Sequence, residues 1–136
     1  DKLVMGRYEK AYEKEGIPNS WICSDKKIVD EYNKDPRCGF SFTINGYKTL
    51  CKLMCQAYSR RGWAMKNPEL RIVIMNGADD PCILKRETFV KSVDIIKKVG
   101  YKNTVSKLYK GMRHELLNEP EFMKVIEDVL RKAPTT

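Results

Sequence analysis

The sequence predicts an α/β fold, a helical and irregular first part followed by a strand–helix–strand–helix unit. Three observations carry this. Arg71-Ile72-Val73-Ile74-Met75-Asn76-Gly77 is a short, almost wholly apolar, β-branched run closed by glycine, the pattern of a buried strand in a parallel sheet. Thr104-Val105-Ser106-Lys107-Leu108-Tyr109 alternates as a second strand should. A one-faced helical pattern follows each of them, which completes the βαβα order of an α/β sheet.

Taken along the chain, Ser24 and Asp25 read as the N-cap and first turn of a short helix through Ile28, Val29 and Tyr32. Asp35-Pro36-Arg37-Cys38-Gly39-Phe40 is a turn, and 41–44 an extended stretch after it. Tyr47, Leu50, Cys51, Met54, Cys55 and Tyr58 then recur at the spacing of a one-sided helix. After the first strand, Phe89, Val90, Val93 and Ile96 share a helix face, and Gly100 ends that helix. The second strand is expected over 105–109. Asn118 is expected to cap the last helix, with Glu121 in capping-box position and a stripe of Phe122, Val125, Ile126, Val129 and Leu130. The chain divides near residue 58, into 1–58 and 59–136. Two parallel strands leave both sheet edges open, so the second part reads as the end of a larger sheet or as a unit that must associate.

The 136 residues are one domain's worth of material. No apolar run approaches the ~20 residues that span a bilayer, and no signal peptide opens the sequence. The chain starts at Asp1 without an initiator methionine, as a piece of something longer would. Five cysteines without framework spacing read as reduced thiols in a cytoplasmic protein. Cys51 and Cys55 are a helical i, i+4 pair, but with no CxxC and one histidine in the chain a structural zinc site lacks ligands. No metal or cofactor is expected. The net charge of +8 is spread through interleaved acids and bases, and only Ser59-Arg60-Arg61 approaches a cluster. A solvated mixed surface accounts for it better than a nucleic-acid site, and it leaves room for peripheral contact with an anionic lipid surface.

Chemistry in α/β sheets gathers beyond the carboxyl ends of the strands. The first strand runs into Gly77-Ala78-Asp79-Asp80-Pro81, and the second into Gly111-Met112-Arg113-His114-Glu115, which holds the only histidine. A carboxylate on one imidazole nitrogen fixes the tautomer and leaves the other as a general base, the back two-thirds of a nucleophile–base–acid triad. Each residue alone also fits a plain turn or surface role; it is their joint placement that points to catalysis. His-Glu-Leu-Leu-Asn lacks the second histidine of a zincin helix.

"NGADDP" at one strand end and "YKGMRHELLNE" at the next resemble the carboxyl-terminal part of the α/β-hydrolase family, in its monoacylglycerol lipase and lysophospholipase-like branch. "SWICSDKKIVDEYNKDPRCGFSFT" resembles the lid that these hydrolases insert before the strand bearing the acid. The resemblance implies that Asp80 is the catalytic acid, with Asp79 as the fallback, and that His114 is the base. It places Glu115, Asn118 and Glu119 in the family's recurring sequence after the histidine. It makes 1–58 a helical cap over an acyl chain and 59–136 the end of the catalytic core. It also implies a lipid-like ester substrate and a missing amino-terminal half as partner, while the open sheet edges point to a second copy as the other candidate partner.

One departure from the family pattern is decisive. The nucleophile of such enzymes sits on a Gly-x-Ser-x-Gly elbow, and no such elbow occurs here. The nearest imitation, Gly39-Phe40-Ser41-Phe42-Thr43, lacks the second glycine and places bulky residues where a strained turn needs small ones. The expected chain therefore carries the acid and base of a serine hydrolase without its nucleophile, and is inactive alone. The alternative is a truncated, non-catalytic module that self-associates through its open sheet edges.

Overall fold

The structure, a computed structural model, describes residues 5–132. Its first part is helical: α1 (Gly6–Ala11), two 3-10 turns (Glu13–Glu15 and Ser20–Ile22), α2 (Lys26–Lys34) and α3 (Ile44–Tyr58). Asp25 caps α2 by accepting from Lys27 N at 2.8 Å, while Ser24 has a different task described below. The extended stretch expected over 41–44 stops one residue earlier. Thr43 Oγ1 accepts from Gly46 N at 3.1 Å and starts α3 at Ile44, because a β-branched hydroxyl serves better as a cap than as the middle of an unpaired strand.

The second part has the predicted βαβα order: β1 (Ile72–Gly77), a 3-10 turn (Pro81–Ile83), α4 (Arg86–Val99), β2 (Thr104–Tyr109), a 3-10 turn (Leu116–Asn118) and α5 (Phe122–Lys132). The strands are parallel and paired from Ile72 with Thr104 to Gly77 with Tyr109. Their carboxyl ends thus stop level, and the two chemically suspicious loops leave from the same edge. A parallel pair needs a crossover, and α4 supplies it, burying Phe89 and Val93. Val90 lies off that buried face. Gly100 ends the helix at φ +126, a backbone angle that side chains strongly disfavour.

The expected cap of the last helix is corrected. Asn118 lies in the preceding 3-10 turn and donates to Glu115 Oε2 at 2.7 Å, and α5 begins at Phe122. Pro120 is the reason: the residue before a proline is pushed out of the helical region, and Glu119 is extended at φ −72, ψ 150. A helix started at Asn118 would have broken at its first step. Glu121 pairs with Lys124 instead of closing a capping box.

Two small cores hold the molecule. Trp21, Ile22, Cys23 and Val29 form one, with Tyr8, Tyr12, Tyr32 and Cys82 packed around it. Tyr109, Met112 and Val125 form the other, joined by Met75 and Leu116. Asp128 fastens α5 to β2 by accepting from Tyr109 OH at 2.8 Å while pairing with Lys107 and Arg131. Much apolar surface stays outside these cores. β1 is only half-buried along its length up to Asn76, α3 buries none of its residues, and Leu130 of α5 is 70 % exposed. The stripes that the sequence marks as core-facing are present, but among the described residues nothing covers them.

Candidate active site

The loop after β1 is shaped by how closely it approaches the loop after β2. A Cβ on Gly77 would lie 2.1 Å from Arg113 O and 2.2 Å from Met112 O, so only glycine lets the strand end lie against the histidine loop. Ala78 N donates to Tyr109 O at 2.8 Å and Asp79 N to Met112 O at 3.1 Å, which extends the pairing past the sheet. Pro81 opens the 3-10 turn that Asp80 caps, with Asp80 Oδ1 accepting from Cys82 N at 2.8 Å.

The other carboxylate oxygen is turned to the histidine. Asp80 Oδ2 accepts from Asn76 Nδ2 at 2.9 Å and lies 2.9 Å from His114 Nδ1. Asp80 is 4 % exposed, whereas the His114 side chain is 44 % exposed. An ionised, buried acid thus meets the inner nitrogen of an imidazole that solvent can reach. With Asp80 ionised, the neutral form of the ring keeps its proton on Nδ1, and Nε2 is the nitrogen that gains and loses the second one. Asp79, the fallback, is exposed; it contributes its carbonyl, which accepts from Tyr12 OH at 2.5 Å. Ser41 is exposed in the irregular stretch before α3.

Burial works to raise the Asp80 pKa, but hydrogen bonds from His114, Asn76 and Cys82 N–H outweigh it and hold the carboxyl below its ordinary range. The same Asp80 contact, followed by Cys82, pushes His114 up to about 10, against the opposing effect of burial. This predicts that His114, in metal-free protein, stays imidazolium well above pH 7. Because the folded pKa is the raised one, the pair's stabilisation is complete below the unfolded value of about 6.5 and is lost as pH rises through about 10. As the chain has one histidine, a proton NMR titration of its ring assigns itself, and a midpoint near 6.5 would contradict the geometry.

Both neighbours of His114 are pinned to the first part of the chain. Glu115 N donates to Ile22 O at 2.8 Å. Arg113 N donates to Glu119 Oε1 at 2.6 Å, and the same carboxylate accepts from Ser24 N at 3.1 and 3.2 Å and from Ser24 Oγ. The Arg113 guanidinium reaches Glu15 at 2.5 Å and Ser20 O at 2.5 Å, and stacks 3.9 Å over the Tyr12 ring. Its hydrogen bond is the leading reason that the Glu15 carboxyl titrates lower than usual. Trp21 sets its ring 5.1 Å from that of His114, with Tyr8 a further 5.3 Å behind it. Sequence reasoning singled out Asp80 and His114, and the structure joins them. It missed Trp21, Asn76, Cys82 and Arg113, and gave Glu119 no structural task. Of these, Asn76 alone carried a local signal, as the one polar side chain in an otherwise apolar strand.

An acid and a histidine meeting beyond the level carboxyl ends of neighbouring parallel strands fit the carboxyl-terminal end of an α/β-hydrolase fold. A family model described as "Serine aminopeptidase, S33" matches residues 2–121, and the chain belongs to that α/β-hydrolase family. Among solved structures, the chain is similar to a highly thermostable carboxyl esterase from Bacillus coagulans in complex with glycerol, at 23 % identity and a TM-score of 0.75. The match covers 95 % of this chain and 42 % of the esterase. The chain therefore spans less than half of that relative's length. Among the described residues no helix is long and apolar enough to cross a membrane.

Proposed function

We propose that this chain is the carboxyl-terminal part of a serine hydrolase that cleaves carboxylic esters of lipid-like substrates, supplying acid and base to a nucleophile held elsewhere. The observation that carries the reading is the 2.9 Å contact between Asp80 Oδ2 and His114 Nδ1 at the strand ends. In the reaction, a serine attacks the ester carbonyl, His114 Nε2 takes its proton and returns it to the leaving alcohol, and Asp80 stabilises the imidazolium between the two steps. Water then repeats the sequence on the acyl-enzyme. Family membership and the esterase neighbour support hydrolysis of this class.

The lysophospholipid or monoacylglycerol specificity rests on the cap resemblance and on apolar surface. Phe40, Phe42, Ile44, Leu53 and Met54 are exposed in the cap segment, as groups covering an acyl chain would be in the absence of that chain. The raised pKa of His114 fits the same reading. A general base must be neutral to act, and covering the exposed ring with the remaining half of the enzyme would disfavour its charged form and lower the pKa toward working pH.

A second reading, self-association as a non-catalytic module, is favoured by the bare faces of α3 and α5 and by the two-stranded sheet. A clean monomer in sedimentation would count against it. The esterase reading is tested by treating the chain with a fluorophosphonate and measuring intact mass. No adduct is expected on the chain alone, and a stoichiometric adduct would place an activated serine here and overturn the division of labour.

A further inference from the structure

Cys82 takes no part in the acyl-transfer steps, yet its thiol stands inside the site. Asp80, Cys82 and His114 each offer one donor atom, a carboxylate oxygen, a sulfur and an imidazole nitrogen, and these three atoms lie within 4.8 Å of one another. Cys82 packs, as Tyr8 does, against the Trp21 core. This is a convergence of three ligand types from two loops, at a place where one of them, Asp80, is buried.

We infer that Asp80, Cys82 and His114 form a zinc-binding site at the proposed active centre, and that Zn²⁺ bound there inhibits the enzyme. Oxygen and nitrogen ligands bind Zn²⁺ at about 2.0–2.1 Å and thiolate at about 2.3 Å, so tetrahedral ligand atoms stand roughly 3.3–3.6 Å apart. From a 2.9 Å oxygen–nitrogen contact and a spread of at most 4.8 Å, that asks for side-chain movements of no more than about 1 Å. The frame is prepared for it. Asp80 and Cys82 share one 3-10 turn, closed by the 2.8 Å bond from Cys82 N to Asp80 Oδ1. Asn76 orients the carboxylate from behind at 2.9 Å, the outer-shell support that metal-binding carboxylates usually have.

The donor chemistry selects the ion. A thiolate beside an imidazole disfavours Mg²⁺ and Ca²⁺, which prefer all-oxygen sites, and suits Zn²⁺. Binding displaces the imidazolium proton and the thiol proton to solvent, after which one thiolate and one carboxylate balance the two charges of the ion and a water would complete four-coordination. The ion would hold the carboxylate and imidazole that the proton shuttle needs. The inhibition therefore rests on the esterase reading, but the binding does not, and binding can be measured on this chain without any nucleophile.

The test uses the chain with Cys51→Ser and Cys55→Ser, so that the pair on α3 cannot contribute. Titration with Co²⁺ as the spectroscopic probe is expected to give a thiolate-to-metal charge-transfer band saturating at one ion per chain, displaced by Zn²⁺. Adding Cys82→Ser should abolish the band, and His114→Ala should weaken binding by at least about tenfold. Should His114→Ala fail to fold, the ring signals of His114 in the parent chain should shift on addition of Zn²⁺ and not of Mg²⁺. Absence of the band, or a band that survives Cys82→Ser, or ring signals unmoved by Zn²⁺, would overturn the site. Failure of the esterase reading would show separately, as ester hydrolysis undiminished by His114→Ala in a protein that carries both this chain and the nucleophilic serine.

Discussion

Replacing His114 by Ala, in a protein that carries both this chain and the nucleophilic serine, should lower kcat for ester hydrolysis by about 10⁴- to 10⁶-fold with little change in KM. The size follows from the position of the ring. His114 is the only histidine of this chain, and its Nδ1 is held by a carboxylate that is itself fixed by Asn76 and by the Cys82 N–H. Asp80→Asn should cost about 10⁴-fold, because an amide in that place favours the wrong tautomer and removes the charge opposite the imidazolium. Steady-state rates on a short-chain ester decide it, with melting curves to show that the variants are folded. Activity within tenfold of the parent after His114→Ala would remove His114 from the chemistry and leave the 2.9 Å pair as a structural ion pair.

The elements were legible because their signals are local. A β-branched run closed by Gly77 and the helix face of Phe89 and Val93 each lie within a dozen residues, and periodicity reads them directly. Asp80 and His114 were legible one level higher, since both follow strands and strand ends converge in a parallel sheet. What escaped was either a competition or a long-range contact. At Asn118 the cap signal lost to the steric effect of Pro120 on Glu119. Cys82 counted as an ordinary thiol because its partner lies on another loop. Arg113 reads as a surface charge until folding brings Glu15 and Tyr12 beneath it. The exposed faces of α3 and α5 are the reverse case: the sequence marks them as core, and among the described residues nothing covers them.

Glu119→Gln should destabilise the fold by about 3 kcal/mol or more, a large part of the roughly 5–15 kcal/mol that holds a domain of this size together. Glu119 is 2 % exposed and its carboxylate is the shared acceptor for Arg113 N, Ser24 N and Ser24 Oγ. An amide can replace one oxygen but turns a donor toward a donor with the other, so at least one buried N–H or O–H loses its partner. Glu119→Ala would strand all of them and should cost more. The effect should also reach the site. Arg113 precedes His114, and its N–H is one of the bonds that fix where the loop lies; freeing it allows the imidazole to drift from Asp80 and relaxes the His114 pKa toward its ordinary value. Urea denaturation and the single histidine NMR titration measure the two consequences on the same variant. A stability loss below about 1 kcal/mol with an unmoved titration would mean that the loop is positioned by the Ile22 and Arg113 side-chain contacts alone, and that the Glu119 clasp is a consequence of the fold and not one of its causes.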